Sequence, residues 1–163
     1  MNRRLSPATP ARALDRIDRL ILKALQKEGR KSVSMLAREV HLTTTPCLDR
    51  VRRLEACGYI QGYAALLDPR RLGVGLLAFV EIRVERTLPD FCHQFRMAIE
   101  AMDEVTECHK ITGHFDFLLK LRVPDMDAYR HFMEHRVTSL PGVARTHTYL
   151  AVEEVKSTTA FDF

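Results

Sequence analysis

The chain has 163 residues, enough for one ordinary domain or two small ones, and its 46% hydrophobic content predicts a globular core. It carries 25 Lys and Arg against 21 Asp and Glu, and a formal charge of +4 fits a nucleic-acid partner only if the positive charge is concentrated on one surface. No apolar run approaches the roughly 18 residues of a membrane span, and no secretory pattern follows the basic start, so we expect a cytoplasmic protein that makes no membrane contact.

The first part of the chain is predicted to hold a flexible arm and two short helices. Residues 1–13 lack periodicity and include two prolines, which is typical of an arm. The first helix is expected to follow an N-cap at Asp15 and to end at Gly29, with an apolar row at Ile17, Leu20, Ile21, Ala24 and Leu25. The second is expected to follow an N-cap at Ser32, with Val33, Leu36, Ala37 and Val40 on one face.

A third helix is predicted between residues 43 and 58. Thr43 or Thr44 can cap it, and Pro46 is tolerated because the N–H groups of a first helical turn have no partner inside the helix. One side of this helix is apolar, with Val51 at its centre. The N-terminus and the polar side together display hydroxyl and charged groups: Thr43, Thr44, Thr45, Asp49, Arg50, Arg52 and Arg53.

Three such helices followed by a β ribbon are the layout of a winged helix-turn-helix, in which the third helix enters the major groove of double-stranded DNA. Short hydroxyl side chains can approach bases and phosphates closely, and arginines can neutralise phosphates or bind guanine. The alternative is that this polar face is only solvated. The two preceding helices and the ribbon favour a DNA-binding domain over residues 14–62.

After Gly58 the pattern changes to β character, with Gly62 as a turn or bulge. Asp68-Pro69 and the glycines that follow mark a linker strand or hinge over residues 63–74.

Residues 75–156 are predicted to follow the order strand, helix, strand, strand, helix, strand, which is the ferredoxin-like βαββαβ arrangement, and residues 157–163 to form a C-terminal tail. The first strand points Leu76, Ala78, Val80, Ile82 and Val84 inward, and strands two and three flank a turn at residues 112–115. The third strand is expected to bury Phe115, Phe117, Leu119, Leu121 and Val123, the last helix to end at Pro141-Gly142, and the fourth strand to cover residues 143–155. The fold class is therefore α+β.

Both helices of this domain are expected on one face of the sheet. The other face retains Leu77, Phe79 and Leu118, and an open apolar face of that kind usually contacts a second copy of the chain.

Three stretches carry a resemblance to a known family: residues 45–69, 107–130 and 140–156. They resemble the leucine-responsive/asparagine-regulator (Lrp/AsnC, or feast/famine) transcription factors, in the order and spacing of that family and nearest its leucine-responsive branch. The resemblance runs from about Leu14 to Lys156. It implies a DNA-binding regulator without enzymatic activity, homodimers that assemble into octamers or open arrays, and an amino-acid effector, leucine or another aliphatic one, with no further cofactor.

The resemblance also implies where the effector lies, near the turn between strands two and three. The matching positions are Gly113, His114, Phe115 and Asp116, and the candidate wall residues are Met126, Tyr149, Leu150 and Ala151. A carboxylate at Asp116 suits an amino acid's ammonium group. The leucine-responsive branch commonly has Gly-Asp-Phe-Asp at this turn, whereas this chain has His114 in the second place, which leaves the effector open; the alternative is an exposed position of no consequence.

Other residue patterns favour no catalytic or metal site. The four cysteines form no C-x-x-C pair and are interpreted as buried or idle thiols in a reducing compartment. His131 and His135 lie four residues apart, but without a third ligand in reach no metal is expected. The alternative function is an enzyme, because siroheme decarboxylase subunits look like the same two-domain architecture; the polar face of the third helix favours the regulator.

Overall fold

The computed structural model describes residues 13–85, 91–140 and 142–163, without the side chains of residues 91 and 92. These residues divide into two compact units. The helical unit contains the described residues up to Leu66 together with Ser157–Phe163, and the sheet unit contains Leu67–Lys156. Most of the predicted arm, residues 1–12, lies outside the described residues.

The helical unit contains the three predicted helices: α1 (Arg16–Lys27), α2 (Val33–Glu39) and α3 (Thr44–Ala56). The predicted caps at Asp15 and Ser32 are confirmed, since each side chain accepts a hydrogen bond from a backbone N–H of the first helical turn. The three helices share one apolar core of Ile21, Ala24, Leu36, Ala37, Val40, Cys47, Val51 and Leu54. Leu20, which we expected in the apolar row of α1, is 41% exposed because it lies on the outer side of the helix.

One charged side chain, Asp18 of α1, is buried with this core and is only 2% exposed. Asp15 and Asp18 form a reciprocal capping box, in which each carboxylate accepts the other residue's backbone N–H. Two arginines of α3 then reach the same group. Nη1 of Arg50 lies 2.6 Å from Asp15 and 2.7 Å from Asp18, and Nη2 of Arg53 lies 2.6 Å from both carboxylate oxygens of Asp18. A buried carboxylate is tolerated only when it is paired in this way.

The β ribbon predicted directly after α3 is not formed. No strand occurs among residues 57–75, all of which the structure describes. A strand requires a hydrogen-bonded neighbour, and this segment instead leaves Leu66 and Leu67 87% and 69% exposed.

The sheet unit follows the predicted βαββαβ order. It contains β1 (Leu76–Val84), α4 (Phe91–Glu100), β2 (Val105–Lys110), β3 (Phe117–Val123), α5 (Met126–Phe132) and β4 (Val143–Leu150). The strands pair antiparallel in the order β2-β3-β1-β4, so the ferredoxin-like prediction is confirmed. The last helix continues from α5 through a π-helical turn, Met133–Val137, in which the N–H of Thr138 bonds to the carbonyl of Met133, and it ends before the predicted Pro141-Gly142. The fourth strand also ends earlier, at Leu150.

Side chains of the helices cover one face of this sheet. The core contains Ala78, Val80, Ile82, Phe95, Ile99, Met102, Phe117, Leu119, Leu121, Val123, Phe132, Met133, Val137 and Leu140. Phe115, predicted in the same inward row, precedes β3 and is only half-buried. On the other face Leu77 is 6% exposed, which corrects the prediction that it lacks a cover, while Phe79 and Leu118 are half-buried.

The ion pairs on Asp18 predict different roles for two adjacent arginines. Replacement Arg53→Ala should lower the free energy of unfolding of the helical unit by about 1.5–3 kcal/mol, because it removes charged hydrogen bonds from a buried carboxylate. Arg53 is 37% exposed and Arg50 still pairs with Asp18, so the loss stays below that of an unpaired buried charge. The matched control, Arg52→Ala, should change stability by less than about 0.5 kcal/mol. Urea unfolding followed by circular dichroism measures both, and equal losses in the two variants would contradict the assignment.

Candidate DNA-binding helix and effector turn

The position of α3 is set by its apolar side. Cys47, Val51 and Leu54 are buried among α1 and α2. The opposite side is exposed along the first three turns of the helix, and it carries five of the predicted DNA-binding residues: Thr43, Thr44, Thr45, Asp49 and Arg52. The structure therefore brings these five side chains onto one continuous surface.

The N-terminus of α3 belongs to this surface. Thr43 is the N-cap, in an extended backbone conformation, and its carbonyl accepts the N–H of Cys47 at 3.3 Å, but its side chain makes no capping hydrogen bond. The predicted cap is therefore confirmed in position and not in its hydrogen bond. First-turn N–H groups have no partner inside a helix and carry the positive end of its dipole, which suits a phosphate oxygen.

The three arginines of α3, which the sequence pattern grouped together, fall into two classes. Arg50 and Arg53 are half-buried and paired with Asp15 and Asp18. These ion pairs raise the pKa of Arg50, and the N–H of Asp18 together with Arg50 lowers the pKa of Asp15. Arg52 is exposed and enters none of the ion pairs found within the described residues. A DNA contact by Arg50 or Arg53 stays a prediction, and the geometry gives both residues a structural role that the sequence pattern did not reveal.

The predicted effector turn joins β2 to β3. Gly113 has φ 144°, a conformation that strains any residue with a side chain, so the glycine is required by the backbone itself. Asp116 is half-buried at the end of the turn. Its Oδ2 accepts the N–H of Val84 at 3.0 Å, and its own N–H bonds to the carbonyl of Ile82 at 2.9 Å, so this residue fixes the turn to the end of β1.

This contact changes the interpretation of Asp116. The sequence pattern explains a carboxylate here either as the acceptor of an ammonium group or as a residue that only stabilises the turn. The hydrogen bond to Val84 supplies a structural reason. Binding of an ammonium group by Asp116 stays a prediction.

A cleft of about 330 Å³ lies beside the turn, on the sheet face opposite the helices. It contains charges of both signs and two imidazoles, and its lining is Glu81, Arg83, His114, Phe115, Arg145, Thr146, His147 and Tyr149. The rings of His147 and Tyr149 meet edge to face with centroids 4.7 Å apart. Such a cleft can pair with both the ammonium and the carboxylate group of a zwitterion.

The structure brings only some of the predicted effector residues together. His114, Phe115 and Tyr149 line the cleft, whereas Gly113, Asp116, Met126, Leu150 and Ala151 do not. The N–H of Ala151 bonds to the carbonyl of Leu77. Met126 begins α5 and is 42% exposed.

Sequence reasoning missed the charged residues of the cleft, Glu81, Arg83 and Arg145. They meet because β1 pairs with β4 in a register that sets Glu81 opposite His147 and Arg83 opposite Arg145. The period-two pattern of β1 placed Glu81 and Arg83 on the outer face, but it carried no information on which strand lies beside them.

The remaining histidines and cysteines add no further site within the described residues. The rings of His131 and His135 stack at 4.3 Å, and no group of three or more potential metal ligands occurs within the described residues. Cys47 is buried, which raises the pKa of its thiol, and Cys57 and Cys108 are exposed, while the Cys92 side chain lies outside the described residues. None of the helices in the described part of the chain has the length and apolarity to span a bilayer.

Comparison with known families gives two matches that divide the chain as its architecture does. Residues 14–61 match a winged helix-turn-helix DNA-binding family, and residues 77–161 match the Lrp/AsnC ligand binding domain.

The chain is also similar to characterised proteins and solved structures over nearly its whole length. It is 53% identical over 151 residues to the leucine-responsive regulatory protein of Escherichia coli K12, covering 93% of this chain and 92% of the relative, and 54% identical over 147 residues to that of Serratia marcescens, covering 90% of each. A Neisseria meningitidis transcriptional regulator solved as an L-Met complex superposes with a TM-score of 0.88 at 35% identity, over 92% of this chain and 97% of that one. The structure of E. coli AsnC superposes with a TM-score of 0.82 at 25% identity, over 91% and 99%. With the displayed helix α3, the ferredoxin-like sheet and these likenesses, the chain belongs to the Lrp/AsnC family of transcriptional regulators.

Proposed function

We propose that this protein is a sequence-specific, DNA-binding transcriptional regulator that works in the cytoplasm and whose DNA binding or assembly responds to an aliphatic amino acid. The observation that carries the proposal is the exposed face of α3, where three threonines, Asp49 and Arg52 are held outward by an apolar seam on the opposite side. A helix that only packed would not need this set of short hydroxyl groups at its N-terminus.

The threonines and Arg52 suit different parts of a DNA site. The N-terminus of a recognition helix points into the major groove, where short hydroxyl side chains reach base edges or phosphates. Arg52 lies two turns further along and is long enough to reach a phosphate or the O6 and N7 atoms of a guanine. Arg50 and Arg53 form ion pairs with Asp15 and Asp18 of the α1 N-terminus, and these pairs help to hold α3 in place.

Replacement Arg52→Ala is expected to weaken DNA binding while leaving the fold intact. If Arg52 neutralises one phosphate, the slope of log K against log salt should become shallower by about 0.9. If it reads guanine, about 1–3 kcal/mol of discrimination should be lost at one base position.

The measurement is a fluorescence-anisotropy titration at two salt concentrations with a selected operator and its point variants. The matched control is Arg130→Ala, which removes the same charge from α5 in the sheet unit and should leave affinity unchanged. Unchanged affinity in Arg52→Ala would show that this face does not read DNA.

We further propose that the amino acid binds at the turn and cleft described above. The cleft offers acidic and basic groups within one concave surface, and a similar regulator was solved with L-Met. The imidazole of His114 at the edge of this cleft is the position at which the chain departs from its nearest branch, so it is the first candidate for altered effector choice.

The substitution Asp116→Asn separates the two roles open to Asp116. Asparagine retains a carbonyl oxygen that can accept the N–H of Val84, but it has no charge to pair with an ammonium group. If Asp116 binds the ammonium, the variant should keep its thermal stability and lose its response to leucine, methionine, isoleucine and valine.

Isothermal titration with each amino acid, and DNA affinity with and without it, measure this response. Asp116→Ala is the comparison variant, because it should lose both the turn contact and the response. If Asp116→Asn responds to the amino acids as the wild type does, Asp116 does not bind the ammonium group. If the wild-type protein neither binds any of the four amino acids nor changes its DNA affinity in their presence, the effector proposal is contradicted.

Self-association is the third part of the proposal. Tyr149 and Leu150 on β4 are 51% and 45% exposed, and the segment before β1 exposes Leu66 and Leu67, so these large apolar side chains are available to contact a second copy of the chain. We propose a homodimer that assembles further to an octamer or a larger array. Two copies present two reading helices, so the operator should be a pseudo-palindrome with half-sites about one helical turn apart, or a multiple of it.

Sedimentation at micromolar concentration is expected to show a dimer at least. Replacement Tyr149→Glu should weaken association, because Tyr149 lies opposite Phe79 and the change places a charge on the sheet face that the helices leave open. Met97→Glu is the matched control, since Met97 is 56% exposed on α4 and a charge there stays in water. A wild-type monomer would overturn the proposal of self-association.

A further inference from the structure

The helical unit contains an apolar groove that neither DNA binding nor amino-acid binding uses. It has a volume of about 380 Å³ and lies between the outer side of α1 and the segment after α3. Its apolar lining comes from Leu14, Leu22, Leu25, Tyr59, Ile60 and Tyr63.

The last residues of the chain form one wall of the groove. Phe161 and Phe163 form part of its lining, and Ser157–Phe163 groups with the helices although it follows the sheet unit in sequence. The two rings lie 5.7 Å apart and leave Asp162 between them.

Two side chains of α1 contact successive residues of the C-terminal tail, Ser157–Phe163. Nε2 of Gln26 donates to the carbonyl oxygen of Phe161 at 2.7 Å. Nζ of Lys23 lies 2.7 Å from Oδ1 of Asp162 and 5.7 Å from the centre of the Phe163 ring. Lys23 and Gln26 are three residues apart, so they stand beside each other on the helix surface.

These contacts divide the recognition between apolar and polar groups. Phe163 is half-buried and supplies the apolar contact, whereas Phe161 is 70% exposed. Lys23 and Gln26 fix the register by binding a carboxylate and a backbone carbonyl. The pairing with Lys23 lowers the pKa of Asp162, which keeps the carboxylate ionised. Because Lys23 and Asp162 are 44% and 92% exposed, their ion pair alone is weak and specifies orientation more than strength.

We propose that the groove on α1 is a peptide-binding site whose ligand is the chain's own C-terminal Phe-Asp-Phe segment. The DNA-binding unit is then joined to the rest of the chain by two connections, the linker at residues 63–74 and the docked tail. The tail is covalently attached, so its effective concentration is about millimolar and a weak contact suffices to hold it. The proposal goes beyond the regulatory function and depends on neither DNA nor an amino acid.

The test uses the chain ending at Lys156 and a synthetic peptide of residues 156–163. The peptide should bind the shortened chain in isothermal titration, and should bind the full chain at least about tenfold more weakly, because there the attached tail already bonds to Lys23 and Gln26. Circular dichroism of the shortened chain shows whether its fold is retained. If it is not, the full chain with Phe161→Ala and Phe163→Ala replaces it as the empty receptor and should take up the peptide in the same way.

Matched changes identify the contacts on both sides. A peptide with Phe163→Ala or Asp162→Asn should bind several-fold more weakly, whereas Thr159→Ala, which alters an exposed side chain, should bind as the original does. In the shortened chain Lys23→Ala should weaken binding, and Lys27→Ala, one turn further along α1 and exposed, should not. Three outcomes would overturn the proposal. The peptide binds the full chain as tightly as the chain without a docked tail, it does not bind the chain without a docked tail at all, or Lys23→Ala and Lys27→Ala have equal effects.

Discussion

The carboxylate of Asp18 lies in the interior of the helical unit, where two arginines of α3 reach it. At 2% exposure it cannot be solvated, and Arg50 and Arg53 together with the N–H of Asp15 supply the hydrogen bonds that water would otherwise make. Arginine suits this position because its guanidinium carries several N–H donors: Nη2 of Arg53 contacts both oxygens of Asp18, and Nη1 of Arg50 contacts Asp18 and Asp15. Since both arginines come from α3, the pairing acts together with the buried apolar side of α3 to fix the rotation of that helix against α1. The outward direction of Thr44, Thr45 and Arg52 follows from that rotation.

The effector turn is held in place by the same kind of constraint, a carboxylate bound to a neighbouring element. Asp116 accepts the N–H of Val84 and thereby fastens the β2–β3 turn to the end of β1. His114 and Phe115 are carried to the edge of a cleft whose remaining walls come from β1 and β4. In each unit, then, an acidic residue that bonds to a neighbouring element holds the candidate surface in its geometry.

The two proposed sites lie in different units, so a response of DNA binding to an amino acid requires coupling through the chain. Allosteric coupling of this kind typically amounts to about 1–3 kcal/mol. A linker alone restricts a small domain weakly, because loop-closure entropy changes slowly with length. The docked tail gives the helical unit a second attachment, which begins where the sheet unit ends at Lys156.

The sequence by itself determined the helices, the strand order and the displayed face of α3, because these depend on local periodicity, caps and turn residues. It did not determine which charges meet. Arg50, Arg52 and Arg53 are equivalent in a helical pattern, and only the packing of α1 against α3 pairs two of them with Asp18 and leaves the third outside. The cleft residues Glu81 and Arg145 are far apart in sequence and meet through the β1–β4 register. Phe161 and Phe163 lie at the C-terminal end of the chain, yet they line a groove with residues of α1 near its beginning. Such contacts between distant segments have no local signal, because the free energy that selects them arises only when the packed core brings the segments together.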